Sequence, residues 1–299
     1  PLARTLAIPA FSLTAPVRGN DSNLAVLSAY LQDQIAIGEH VELIAGLRWD
    51  RFDLDTTSLA GTRTARVDEK VSPRLGLVIK PNDALSFYAS YATSFLPQAG
   101  DQFFLIAPGD QGFEPEKFTN YEIGAKWLVS PELFLTAALF RLDRTNTKGP
   151  SPTDPALVAL VGESRTEGLE LNLVGEIVPG WQANIGYTLL DGEVRSTSAF
   201  GPAGRRLEQL PEHQVTAWNH VELSDRFSLG LGLIWQDEQF ASFSNAVTLP
   251  DYLRVDAAAY YQLNDRIGFQ VNIENLFDET YYPSAHGDNN IQPARPFVA

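Results

Sequence analysis

Hydrophobic and polar residues alternate with a period of two along most of this chain. Near its end, Ile267, Phe269, Val271 and Ile273 fall on one side, and Gly268, Gln270, Asn272 and Glu274 on the other. Val41, Leu43, Ala45, Leu47 and Trp49 alternate with Glu42, Gly46, Arg48 and Asp50 in the same way. So do Leu85, Phe87, Ala89 and Tyr91 with Ser86, Tyr88 and Ser90, and Phe227, Leu229, Leu231, Leu233 and Trp235 with Ser228, Gly230, Gly232 and Gln236. Successive side chains of a strand point to opposite faces, so each run predicts a strand with one apolar face and one polar face. About thirteen such runs can be counted, each of roughly ten residues, longer than the five or six usual for strands of soluble proteins.

The breaks between runs are of two kinds. Short turns fall at Gly38-Glu39-His40, Pro81-Asn82-Asp83, Ser130-Pro131-Glu132, Pro179-Gly180, Ser224-Asp225-Arg226 and Asn264-Asp265-Arg266. Their residue types favour tight reversal of the chain. Long polar segments occupy residues 56–65, 96–114, 146–162, 193–206, 241–250 and 279–293. Short turns at one end and long loops at the other, joined by alternating strands, predict an all-β transmembrane antiparallel β-barrel. Its apolar face meets lipid and its polar face meets the lumen. Trp49, Trp181 and Trp235 sit near strand ends, where interfacial aromatic girdles form.

Composition narrows the function. The net charge of −15 excludes a nucleic-acid partner, which requires a basic surface. The absence of cysteine removes disulfides, thiol chemistry and cysteine metal ligands. No apolar run reaches the ~18 residues of a spanning helix, which leaves a β-barrel as the way to cross a membrane. His40, His213, His220 and His286 lie on four separate elements without metal-ligand spacing and read as solvated or lumenal. Asp288-Asn289-Asn290 offers oxygen ligands but reads as a polar turn. No nucleophile motif is present, so the expectation is a protein that is not an enzyme. Arg48, Arg74, Lys126 and Glu170 fall on polar faces and are expected to form a lumenal charge network.

Several segments resemble one family. S-A-Y-L-Q-D-Q-I from Ser28, G-L-R-W-D from Gly46, and the stretch from Val71 to Pro97 are similar to strand pairs of TonB-dependent siderophore receptors. F-E-P-E-K-F-T-N-Y-E-I-G-A-K-W from Phe113, R-T-E-G-L-E-L from Arg165, L-P-E-H-Q from Leu210 and N-I-E-N-L-F-D-E-T-Y-Y from Asn272 follow in that family's order. The resemblance implies an outer-membrane receptor of a Gram-negative cell that takes up a ferric siderophore with energy coupled through TonB. It implies contact with outer-membrane lipid and lipopolysaccharide, and no resident cofactor. The lumenal network would then hold a plug domain.

Members of that family carry an N-terminal plug and a TonB box, and barrels of about 22 strands. Neither the plug nor the box is visible in this sequence. The chain also stops at Pro296-Phe297-Val298-Ala299 without another alternating strand. An unpaired edge in lipid is costly, so residues 1–299 are expected to be a partial barrel domain of a larger receptor.

A ferric siderophore arrives with its iron already ligated, so a receptor for one needs aromatic walls and hydrogen-bonding side chains rather than metal ligands. The candidate contacts are Phe95, Gln98, Phe103 and Phe104 in one cluster and Trp235 and Phe240 in another. A passive porin-like channel, and TonB-coupled uptake of a cobalamin or a saccharide, remain open at this point.

Overall fold

The computed structural model describes residues 20–97, 113–150, 158–197 and 202–298. Twelve strands form one antiparallel sheet in chain order: β1 (Asn20–Ile37), β2 (Val41–Ser58), β3 (Arg63–Asn82), β4 (Leu85–Leu96), β5 (Glu116–Ser130), β6 (Leu133–Pro150), β7 (Val158–Val178), β8 (Trp181–Val194), β9 (His213–Ser224), β10 (Phe227–Gln236), β13 (Tyr252–Asn264) and β14 (Ile267–Ile273). Two small hairpins lie outside it. β11 (Gln239–Phe240) pairs with β12 (Thr248–Leu249), and β15 (Ser284–Ala285) with β16 (Ile291–Gln292). No helix occurs among the described residues.

The short turns connect β1–β2, β3–β4, β5–β6, β7–β8, β9–β10 and β13–β14, so up-and-down order sets them all at one rim. Local chemistry closes them. Asn82 Oδ1 accepts from the N–H of Ala84 at 2.9 Å, and Asn264 Oδ1 from those of Arg266 and Ile267 at 3.0 and 3.1 Å. Such side-chain mimicry of a turn hydrogen bond is what asparagine supplies. The longer connections share the opposite rim.

One face of the sheet is apolar and uncovered. Leu31, Leu47, Ile123, Leu231 and Phe269 are each more than half exposed, at 78, 56, 57, 52 and 58%. A face of this kind needs an apolar neighbour, which for a transmembrane β-barrel is hydrocarbon. On β2 it runs nine residues, from Val41 to Trp49. At ~3.3 Å per residue and a tilt of ~40°, that covers roughly 23 Å, close to the ~25 Å apolar band of outer-membrane barrels. Buried apolar residues among those described are few: Leu54, Ala183, Ala241, Leu249, Ala258, Tyr281 and Ala285. The described residues form no central dry core.

Beyond the apolar band the strands keep pairing, and charges replace aliphatics on the same face. Arg51 pairs with Glu69 and with Asp53 (3.6 Å), and Arg63 with Asp55. Asp143 receives Arg141 at 2.9 Å and Arg165 at 2.6 Å. Here the structure corrects two expected loops. Residues 56–65 are largely strand, with a turn over residues 59–62 in which the Ser58 N–H donates to the Thr62 carbonyl at 2.9 Å. Within residues 146–162, β6 and β7 remain paired as far as Pro150 and Val158. Strands reach 21 residues in β7 because ladder hydrogen bonds hold without the alternation that marks the membrane-spanning part.

The twelve-stranded sheet is one strand short of the expected count, and it is open. β1 and β14 are its two ends and do not pair with each other. At the long-loop end of β14, Glu274 and Val298 exchange backbone hydrogen bonds of 2.8 and 3.1 Å.

On the polar face, aromatic rings lie over directly opposed glycines: Tyr88 on Gly124, Phe140 on Gly168 and Trp218 on Gly232. A Cβ added at these glycines would stand 2.5, 2.6 and 2.8 Å from the respective rings. Glycine is needed there for close approach, and the ring covers the exposed backbone in return.

Candidate functional site: the polar wall and its long-loop rim

The polar wall is built from even-numbered positions of β2 to β10 and carries its charges in pairs. Arg48 and Ser28 both donate to Asp50, Lys80 bridges to Glu42 at 2.6 Å, and Tyr88 donates to Glu122 at 2.5 Å. Higher on the wall, Arg144 reaches Glu116 at 2.6 Å while lying 5.6 Å from the Phe118 ring, and buried Arg66 holds Asp68 at 2.6 Å. Arg74 and Lys126 line one hollow of about 630 Å³, together with Tyr88, Ser90, Asn120 and Glu122. Lys126 sits 5.5 Å from the Tyr88 ring. Of the four residues expected in a lumenal network, these two are brought together. Arg48 is engaged separately with Asp50, and Glu170 lies between Ala138 and Thr188 in the same polar row.

Near the long-loop rim, the chain leaving β4 and entering β5 folds onto the β2–β3 hairpin. Phe95 meets Phe52 edge to face, with ring centroids 5.6 Å apart. Arg66 donates to the Phe113 carbonyl, and Lys70 lies 3.9 Å from Glu114. On the same hairpin Leu54, Thr56, Thr64, Arg66 and Asp68 are buried. Phe95 therefore belongs to a packed corner of the mouth. Gln98, Phe103 and Phe104 lie outside the described residues.

The second predicted cluster divides. Trp235 shares its strand face with Leu229, Leu231 and Leu233, the apolar face. It stacks on His213 (6.5 Å between centroids), and His213 in turn stacks on Tyr187 (6.1 Å), whose hydroxyl oxygen is 2.9 Å from His213 Nδ1. This is an interfacial aromatic row on the face away from the polar wall. Phe240 lies instead in the loops, on β11, and its carbonyl accepts from the N–H of Gln209 at 2.9 Å.

Those loops form a lattice that periodicity does not announce. The segments 202–212, 237–251 and 274–298 are cross-linked by polar contacts. Asp288 accepts from Ser242 and Ser244, Gln209 exchanges hydrogen bonds with the backbone of Ala285, and Gln239 donates to the Pro283 carbonyl. Asn245 exchanges hydrogen bonds with the backbone of Arg206. Ala241, Leu249 and Ala285, with Val247 and Tyr282 against them, fill its small centre. Tyr281 stacks on Tyr252 at 4.4 Å and its hydroxyl accepts from Arg254. The only hints in the sequence are the Asn, Gln and Ser residues scattered through the loops.

A family model described as TonB dependent receptor-like, beta-barrel matches residues 4–276. The chain belongs to this family. Among TonB-dependent relatives, the probable siderophore receptor PiuA of Acinetobacter baumannii is 33% identical over 90% of this chain and 39% of its own length. The probable receptor BfrD of Bordetella pertussis is 34% identical over 87% of this chain and 38% of its own. The chain thus spans about two fifths of the length of the curated relatives it matches. The crystal structure of the A. baumannii siderophore receptor PiuA superposes with a TM-score of 0.86 at 31% identity, covering 93% of this chain and 42% of that one. The closed form of the ferric-catecholate import receptor Fiu of Escherichia coli K12 gives a TM-score of 0.84 at 26% identity, covering 93% and 44%. The open sheet is therefore a stretch of TonB-dependent receptor wall, and these relatives are named as receptors rather than enzymes.

Proposed function

We propose that this chain is part of the wall of an outer-membrane receptor that takes up a ferric siderophore with energy coupled through TonB. The observation that carries the reading is the likeness to PiuA, in sequence over 90% of the chain and in structure at a TM-score of 0.86. The geometry supports it. An exposed apolar face suits outer-membrane lipid, and the charged band beyond it suits lipopolysaccharide headgroups. The polar wall, with Arg74 and Lys126 in one hollow, suits contact with a plug.

The ligand surface we assign is the long-loop mouth at Phe95, Gln98, Phe103, Phe104 and Phe240. Trp235, on the apolar face, anchors the barrel in the interface. Loop residues contribute little to the strand ladder, so alanine at Phe103 and Phe104 together leaves the barrel folded. Truncating aromatic anchors costs about 2 kcal/mol or more, roughly thirtyfold in affinity. Binding of a ferric siderophore panel to the full-length receptor and to that double variant tests both statements. Failure of the intact receptor to bind any ferric chelate removes the siderophore assignment. Unchanged affinity in the variant removes those two phenylalanines from the site.

A further inference from the structure

Three loops of the long-loop rim, over residues 202–212, 237–251 and 274–298, are bonded in a closed triangle, each to the other two. Two sides of it use the same device. Asn245 in the second loop accepts from the N–H of Arg206 at 3.1 Å and donates to the Arg206 carbonyl at 3.0 Å. Gln209 in the first loop donates to the Ala285 carbonyl at 2.9 Å and accepts from the Ala285 N–H at 3.3 Å. A side-chain amide carries both a donor and an acceptor, so each clamp satisfies both backbone groups of one residue in another loop, as a paired strand would. Both amide residues hold a left-handed backbone, with φ of 52° and 51°. That conformation is uncommon for asparagine and more so for glutamine. On the third side Ser242 and Ser244 donate to Asp288 at 2.7 and 2.6 Å, and Gln239 donates to the Pro283 carbonyl at 3.0 Å. Ala241 and Leu249 of the second loop share a buried centre with Ala285 of the third.

We infer that these three loops are one cooperative unit, a preformed frame that opens as a whole and keeps its shape while ligand is captured and carried inward. A loop that lifts away must break two of the three sides, and the second or third must open the shared centre as well. The two loops left behind then keep a single side between them, so the rest of the unit follows. Segments that move in binding are drawn from the least stable parts of a structure. A cross-linked unit with a centre of its own lies at the other extreme. The capture half of the inference rests on the siderophore reading. Phe240, assigned above to the ligand surface, has its carbonyl held by the N–H of Gln209 at 2.9 Å. This side of the mouth therefore meets its ligand already ordered and loses little freedom in binding it.

The test uses the full-length receptor. Hydrogen exchange in detergent, without ligand, reads the unit. Asn245→Gly and Gln209→Gly each remove one clamp while suiting the left-handed backbone. The Asn245 clamp joins the first and second loops, so residues 279–285 of the third are its sentinel. The Gln209 clamp joins the first and third, so residues 241–249 are its sentinel. The expected result is exchange that rises about tenfold, by the same factor in the sentinel as in the joined loops. A rise confined to the joined loops overturns the inference. Capture is tested with Ser242→Cys and Asp288→Cys together, closed by a short thiol-bridging reagent, since this chain has no cysteine of its own. Binding and uptake of a ferric siderophore are expected to stay within about threefold of the same variant left unbridged. A larger loss on bridging shows that the loops must part, and overturns the fixed frame. If wild type binds no ferric chelate, the siderophore reading fails, while the exchange result still decides whether the loops are one unit.

Discussion

The backbone N–H of Asn275 donates to the carboxylate of Asp256 at 2.8 Å, tying the end of β14 to the middle of its neighbour β13. The same carboxylate accepts the Arg254 fork at 2.8 and 2.7 Å. Asn275 is 2% exposed, and its side chain donates to the carbonyls of Glu279 and Arg295 and accepts from the Glu279 N–H. One residue therefore turns the chain out of the barrel wall and holds both ends of the last loop. Its φ of 54° is a left-handed conformation that asparagine adopts more readily than alanine.

Asn275→Ala should release the last loop while leaving the wall intact. Strain and unpaired buried groups together amount to about 3 kcal/mol, a rise of about a hundredfold in local opening. Hydrogen exchange over residues 279–295 in the detergent-solubilised protein is the measurement. Unaltered protection there contradicts the role given to Asn275.

Acid should loosen the loop lattice at a second point. The hydroxyls of Ser244 (2.6 Å) and Ser242 (2.7 Å) both donate to Asp288 and hold its carboxyl below the usual aspartate range. A depressed folded value stabilises the lattice above the unfolded value of about 3.9, and that contribution is lost as pH falls through the folded value. Proteolysis between residues 284 and 290 should therefore be flat from about pH 7 to pH 5 and rise only below about pH 4. Asp288→Asn should remove that acid step. A transition near pH 6 in the native protein runs against this assignment.

Adjacent residues on opposite faces give the orientation of the sheet a sharp contrast. Leu171 lies on the apolar face between Ala137 and Tyr187, and Asn172 on the polar face between Thr136 and Gly186. Leu171→Arg should cost about 2–4 kcal/mol if that face meets the middle of a bilayer. Asn172→Arg should stay within about 0.5 kcal/mol. Denaturant titration of full-length receptor folded into lipid vesicles compares the two. A larger loss for Asn172→Arg would reverse the faces.

The wall was largely legible in the sequence, because a lipid-facing strand must alternate and a turn at the short rim must carry residues such as Asn82 or Asn264. Legibility ended where lipid ends. Past Trp49 the outer side of β2 turns charged, with Arg51, Asp53 and Asp55, while Phe52 and Leu54 carry the apolar positions on the inner side, so the lipid-facing alternation stops although the strand continues. Trp235 and Phe240 are close in sequence but lie on different parts of the molecule, and period two alone sets Trp235 beside Leu233 on the apolar face. The loop lattice depends on contacts such as Gln209 with Ala285, which are 76 residues apart and leave no periodic trace.

Iron uptake tests the central claim most directly. Cells that express the full-length receptor as their sole siderophore receptor are given labelled ferric siderophores, with and without TonB. The expected result is accumulation of label from at least one ferric siderophore only when both the receptor and TonB are present. Label that enters equally well without TonB, or no receptor-dependent entry with any ferric siderophore, would contradict it.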